Sequence, residues 1–277
     1  MARCCEELRV SNFYVSLLVE GLGVAFLVFI GGTVLLRVDV SKSNYIAEAS
    51  MVLGFTLAVL SQCLKDVSGS HMNPAITIAC MLTRRVSLLR TFMYIVFQCG
   101  GGILGALALK EMTPASKRGN LAMTVLAEDI SIVKGIGYEM IFSFIYAWVY
   151  FASKTARDTF KGFGGPLAIG LTYSVSHIVI LPYTGCSLNP ARSLGPAVMK
   201  EEFEDQWIYA AGPILSASLA GLLHDFIFAK ARRRPRPRSC SLTCCKPSRE
   251  EAAQAKYFDE DYTHRHTIIE RPTDSGV

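Results

Sequence analysis

The sequence predicts an all-α membrane protein: six transmembrane helices plus two re-entrant half-helices, arranged as an inverted repeat. Three observations carry this prediction. Hydrophobic residues make up 51% of the 277 and charged residues only 18%, whereas soluble domains carry about 25% charged residues. The charges are also missing from six long stretches, each long enough to be considered for a bilayer crossing of about 20 residues. Finally, Asn-Pro-Ala occurs twice, at Asn73-Pro74-Ala75 and at Asn189-Pro190-Ala191.

The elements follow in order. Residues 1–12 mix charges and precede a full-length span, so they read as a cytoplasmic N-terminus rather than a cleavable signal. Phe13 to Leu36 holds one charge, Glu20, and neither Ala49 to Leu64 nor Thr91 to Leu109 holds any. Gly135 to Ser153 holds only Glu139, while Gly162 to Ala191 and Trp207 to Leu223 are uncharged. Each Asn-Pro-Ala reads as a helix start, with a capping Asn and a Pro in the first helical position. The run after the first motif ends at Arg84-Arg85, too soon to cross a bilayer.

Internal repetition organises these pieces. Glu20 precedes Asn73 by 53 residues and Glu139 precedes Asn189 by 50. Each half therefore runs buried acid, second span, short Asn-Pro-Ala helix, third span. Three spans per half send the second half in from the opposite side. The first membrane repeat is expected over 13–109 with a half-helix at 73–83, and an external connecting loop over 110–134. The second repeat is expected over 135–228 with a half-helix at 189–199, and a cytoplasmic, disordered tail over 229–277.

Charge sets the orientation. With the N-terminus in the cytoplasm, that side receives Arg84, Arg85, Arg90, Lys154, Arg157, Lys161 and the tail KARRRPRPR, while the acidic KEEFED lies outside. Lys110, Lys117 and Arg118 fall on the external side against this trend. The chain is expected in the cell membrane, multi-pass, with both termini cytoplasmic. The net charge of +5 mostly reflects the tail, which reads as a topology and headgroup signal rather than a nucleic-acid site. Nine cysteines, an odd count, argue against a disulfide framework. Cys63, Cys80 and Cys99 read as small core residues. Cys4, Cys5, Cys240, Cys244 and Cys245 flank the membrane, either palmitoylated or as free thiols. No nucleophile-base set or metal-ligand cluster appears, so neither an enzyme nor a cofactor is expected.

Irregular backbone at membrane depth is tolerated where it lines a water-filled cavity. VSGSH before Asn73 and PYTGC before Asn189 are such stretches, and their carbonyls are expected to face a lumen. A half-helix of about ten residues spans roughly 15 Å, so two end to end complete one crossing. Their N-termini would meet at the centre, each with a partial positive charge near +0.5 that repels cations and protons. Asn73 and Asn189 would donate to a water oxygen there, turning its hydrogens outward and interrupting a proton wire.

SGSHMNPA and GCSLNPARS, with an acid in the first and fourth spans, resemble the aquaporins, the major intrinsic proteins. The resemblance runs from about Phe13 to Phe228. It implies a passive water channel that excludes protons and ions, assembled as a homotetramer with one pore per subunit. It implies a selectivity filter of Arg192, His177 and Cys186. The fourth filter position falls on Leu53, where water-selective members usually carry Phe; Phe55 lies two residues on. A second departure is Tyr209-Ala210, where water channels often show an aromatic pair. Glycerol-conducting members place Asp after the Arg and Gly at the His position, whereas this chain has Ser193 and His177.

The resemblance further implies that Glu20 and Glu139 accept hydrogen bonds from the re-entrant backbone, with Gln98 supporting. The carbonyl ladder then comprises Gly69, Ser70, His71 and Met72 in one half and Gly185, Ser187 and Leu188 in the other. Cys186 near the filter implies mercurial block.

Three readings stay open. One is a water channel. The second also passes small neutral solutes such as hydrogen peroxide, urea or glycerol, favoured by Leu53. The third is a poorly conducting adhesion or signalling protein, against which the set Asn73, Asn189, His177 and Arg192 argues. RRVS and RPRSCS offer Ser87, Ser239 and Ser241 to basophilic kinases. The C-terminal Ser275-Gly276-Val277 fits a PDZ ligand or is a plain tail end.

Overall fold

A computed structural model describes residues 11–36, 45–155 and 163–232, the side chains of 229–232 excepted. These residues form eight α-helices: α1 (Ser11–Leu36), α2 (Tyr45–Leu64), α3 (Pro74–Leu82), α4 (Leu88–Met112), α5 (Ile132–Thr155), α6 (Gly164–Thr184), α7 (Pro190–Lys200) and α8 (Ile208–Arg232). Six are long and apolar enough to cross a membrane; α3 and α7, of 9 and 11 residues, are not. The expected tail beyond 232, Cys4, Cys5, Ser239, Ser241 and Ser275 to Val277 lie outside the described residues.

The spans run longer than the uncharged stretches suggested. A charge can occupy the end of a helix where it reaches the interface, so α2 begins at Tyr45 and includes Glu48, and α4 extends to Met112 past Lys110 and Glu111. The connector between α4 and α5 is shorter at both ends than expected and is partly buried. Leu121, Ala122, Met123 and Thr124 are buried, and Leu121 and Ala122 take left-handed backbone (φ 54° and 56°). The segment meets the start of α7 through the Ala122 carbonyl, which accepts from Arg192, and the Thr124 hydroxyl, which bonds Ser193.

Packing follows the repeat. In the first half α1 pairs with α4, and in the second α5 pairs with α8; α2 and α6 pack across the centre. Each half-helix lies mainly against the third span of the other half, α3 on α8 and α7 on α4. Exchanging the two halves leaves this pairing scheme unchanged.

In lipid, helices associate through close backbone approach rather than water exclusion, which calls for small residues. Gly21 and Gly101 meet where α1 crosses α4, and a Cβ at Gly101 would run into the Gly21 carbonyl. Facing the other way, Leu18, Leu22, Phe92, Leu104 and Leu219 are exposed, as side chains in contact with acyl chains should be. Cys63, expected in the core, is exposed among them, whereas Cys80 is buried. An apolar stretch does not distinguish a core-facing thiol from a lipid-facing one.

Gly101→Val should force α1 and α4 apart and destabilise the fold by about 2–3 kcal/mol, the usual cost of overpacking. Thermal unfolding in detergent should show a clearly lowered midpoint. An unchanged midpoint would contradict the close crossing.

Candidate functional site

Both half-helices start in the same way. Asn73 is extended (φ −162°, ψ 120°) and its Oδ1 accepts from the Ala75 amide at 2.8 Å. Asn189 is extended (φ −150°, ψ 108°) and its Oδ1 accepts from the Ala191 amide at 3.0 Å. Pro74 and Pro190 occupy the first helical position, where a missing N–H costs nothing. Using the oxygen as the cap turns each NH2 group outward, across to the other half. Asn73 Nδ2 donates to the Leu188 carbonyl at 2.8 Å, and Asn189 Nδ2 donates to the Met72 carbonyl at 2.7 Å. The two N-termini thus meet head to head. An amide nitrogen carries two hydrogens, so one on each Asn remains for a third partner.

The strands of chain leading into these caps share one backbone pattern. Gly69, Ser70 and Met72 have φ of 88°, 49° and 47°; Gly185, Cys186 and Leu188 have 73°, 50° and 56°. Left-handed backbone is costly outside glycine, of order 1 kcal/mol or more per residue, so something must hold it.

Two carboxylates do so. Glu20 accepts from the amides of His71 (2.8 Å) and Met72 (2.5 Å), from Ser68 Oγ (2.6 Å) and from Gln98 Nε2 (2.8 Å). Glu139 accepts from the amides of Ser187 and Leu188, both at 2.9 Å, and from Thr184 Oγ1 at 2.7 Å. Both are fully buried. With the amides tied down on one side, the carbonyls face the other. Among the described residues no protein donor reaches the carbonyls of Ser70, His71, Gly185, Cys186 or Ser187. Those of Met72 and Leu188 already hold the opposite Asn, and that of Gly69 accepts from Tyr150 Oη (3.1 Å) and Lys154 Nζ (2.9 Å).

On the α7 side, Arg192 is buried and its Nη1 donates to the Ala122 carbonyl at 2.9 Å. Arg192, Leu53, Ala122, Leu27 and Val28 share a cavity of about 10 Å3, at the threshold for one water. Leu53 is buried against Gly31, whereas Phe55 points outward and cannot stand in for it. His177 Nδ1 pairs with the Tyr173 carbonyl at 2.9 Å. Among the described residues its Nε2 is buried without a protein partner, as is Tyr173 Oη. Arg192 is an electrostatic neighbour of both and of the buried Cys186. Ala210 is half-buried, and the neighbouring Tyr209 is fully buried.

On the α3 side the His71 ring is used, its Nδ1 pairing with Thr77 Oγ1 at 3.1 Å and its edge meeting Tyr94 and Tyr150. Thr77 in turn accepts from Gln98. Beyond lies a vestibule of about 770 Å3, lined by Gly69, His71, Ser87, Lys154 and three arginines. Ser87 caps α4 by accepting from the Arg90 amide at 3.1 Å.

Three contributors escaped the sequence reading. Tyr146 and Tyr173 are buried with ring centroids 5.7 Å apart, and Tyr173 stacks obliquely on His177 at 4.3 Å. Aromatic residues in an apolar span carry no sign of which way they face; their distances of four residues from Tyr150 and His177 were the available signal. The third is Ala122, which acts through its carbonyl and so has no side-chain signature.

Glu139→Gln should present an NH2 to backbone donors and leave one amide unpaired, a cost of about 1–3 kcal/mol. A lowered unfolding midpoint in detergent, restored by reversion to Glu but not by Asp, is the expected outcome. A variant as stable as the parent would remove the clamp from the account.

The comparisons with known proteins agree with this architecture. The Major intrinsic protein family model matches residues 7–224. Bovine Aquaporin-1 is 34% identical over 246 residues, covering 86% of this chain and 88% of that protein. The lens fiber major intrinsic protein of Lithobates pipiens is 34% identical over 248 residues, covering 90% and 94%. Bovine Aquaporin-4 is 40% identical over 179 residues, covering 65% of this chain and 55% of that protein. The aquaglyceroporin from Plasmodium falciparum shares the fold, with a TM-score of 0.70 over 79% of this chain and 98% of that one at 18% identity. The chain belongs to the major intrinsic protein (aquaporin) family, and it is a transmembrane channel rather than an enzyme.

Proposed function

We propose that the channel conducts water passively down osmotic gradients and excludes protons and ions. The observation that carries this reading is the run of carbonyls at Ser70, His71, Gly185, Cys186 and Ser187, buried except at the half-buried Gly185 and without protein donors among the described residues, leading to two Asn amides. Buried polar groups are expected to be hydrogen-bonded, and water passing in single file would meet that need at each step. At the centre, the spare hydrogens of Asn73 and Asn189 both donate. A water held there by its oxygen cannot relay a proton, and the two helix N-termini add a positive field.

Arg192, His177, Cys186 and Leu53 form the selectivity filter in this reading. The guanidinium repels cations, and His177 Nε2 and Tyr173 Oη offer a permeant its remaining polar contacts. A second reading, passage of small neutral solutes such as hydrogen peroxide, urea or glycerol, is favoured by Leu53, which is shorter than a Phe ring. The packed rings of Tyr146 and Tyr173 argue for the narrower, water-favouring pore.

The setting proposed is the cell membrane with both termini in the cytoplasm. Arg84, Arg85, Arg90 and Lys154 then gather on the cytoplasmic face. A homotetramer with one pore per subunit and a PDZ-domain partner for Ser275, Gly276 and Val277 complete the proposal. Ser87, beside Arg84 and Arg85, is the phosphorylation site it carries.

Stopped-flow light scattering on proteoliposomes tests the reading. Water flux should exceed that of protein-free vesicles, and Asn189→Ala should lower it about tenfold, the equivalent of one hydrogen bond of about 1.4 kcal/mol. Flux equal to empty vesicles would sink it. Mercurial block is expected for the parent and should vanish in Cys186→Ser. Re-swelling in glycerol should be slow for the parent; rapid re-swelling abolished by Leu53→Phe would instead favour the solute reading.

A further inference from the structure

We propose that the vestibule of about 770 Å3 at the α3 end is a binding site for a polyphosphate-type anion, held by Arg84, Arg90 and Lys154. Four cationic side chains line this space, and among the described residues that line it none is Asp or Glu. One of the four is already neutralised: Arg85 pairs with Asp225 at 2.7 Å and lies over the Phe151 ring.

Among the described residues the other three hold only neutral hydrogen-bond partners or none. Arg90 Nη1 donates weakly to Ser16 Oγ (3.4 Å) and Tyr94 Oη (3.3 Å), and its guanidinium lies over the rings of Phe13 and Tyr94. Lys154 donates to the Gly69 carbonyl at 2.9 Å and faces the Tyr150 ring at 5.2 Å. Among the described residues the exposed Arg84 side chain has no hydrogen-bond or ion-pair partner. Its backbone is left-handed (φ 58°), at the turn that closes α3.

Asp66 and Glu20 act on Lys154 only at a distance. Among the described residues none of the three cations has an ion-pair partner, so they repel one another, and an anion placed among them turns that repulsion into attraction. The donor chemistry narrows the ligand. Arginine offers a planar fork matched to phosphate oxygens, and lysine a compact point charge with three donors, of which Gly69 takes one. A ligand with two or more phosphate groups would engage all three cations. Vicinal phosphates on a soluble metabolite and on a lipid headgroup share this chemistry. Bound there, the ligand would sit beside the Gly69 carbonyl and obstruct entry of water; this last step rests on the water-channel reading.

The test uses the purified full-length chain in detergent, treated with phosphatase so that no phosphate on Ser87 fills the site in cis. Isothermal titration calorimetry with inorganic pyrophosphate is the soluble arm, and a short-chain phosphatidylinositol bisphosphate is the lipid arm. Saturable binding of one ligand per subunit is expected in at least one arm, weakening with added salt. Arg84→Ala and Lys154→Ala should each reduce affinity at least about tenfold, as loss of a charge-assisted hydrogen bond does. Lys117→Ala, on the exposed connector, should leave it unchanged. Binding of the lipid alone would assign the site to a headgroup; binding of pyrophosphate would assign it to a soluble ligand. No saturable binding in either arm, or binding indifferent to both vestibule variants, overturns the site. In proteoliposomes loaded with the ligand, water flux should fall in the parent and not in Lys154→Ala. Binding without that fall overturns the obstruction alone, and an absence of water flux altogether overturns the water-channel reading while leaving the binding result standing.

Discussion

Backbone amides that leave the helical ladder inside a bilayer must find acceptors within the protein, and here two carboxylates supply them. Glu20 and Glu139 each take the two amides that precede the capping Asn. Everything central to the channel depends on that arrangement. It holds Ser70, Met72, Cys186 and Leu188 in left-handed backbone, which turns a row of carbonyls away from the protein. It also fixes where each half-helix begins, so that Asn73 and Asn189 reach the opposite loop. An acid buried in a membrane helix is costly on its own; three or four donors around each carboxylate offset that cost.

The halves share this frame and differ in how they are braced. Around Glu20 the bracing runs through Gln98 to Thr77 and the His71 ring. Around Glu139 it runs through hydroxyls, from Ser187 to Ser193 and on to Thr124 of the connector. The second half therefore recruits the connector, which also holds Arg192 through Ala122. The first half instead opens on a vestibule rich in cations. One frame, repeated, ends in two chemically different mouths.

The fold was legible because its signals are local or strictly periodic. A cap, a Pro and a short apolar run are read within a dozen residues, and the paired acids at similar offsets exposed the repeat. Helix ends were less legible: Glu48, Lys110 and Glu111 lie within helices at the interface, where charge does not end a span. The site divides in the same way. Asn73 and Asn189 were legible from the repeated motif and Arg192 from a charge in an otherwise uncharged segment, whereas His177 was assigned only through the family resemblance. The Arg192 contact with Ala122 spans 70 residues and uses a main-chain oxygen, so no residue type announces it. Tyr146 and Tyr173 were hidden for the opposite reason, since an aromatic ring suits lipid, core or lumen equally.

The crossed bonds between the capping asparagines carry a consequence for how the chain is made. Asn73 finds its acceptor 115 residues later, at Leu188, and the Met72 carbonyl finds its donor 117 residues later, at Asn189. While the ribosome is still synthesising the connector, neither partner exists. The first re-entrant hairpin can settle against Glu20 but cannot complete its own tip. The last contacts of the first half are thus supplied by the second, and a nascent chain truncated before Leu188 would leave the translocon with its centre unfinished.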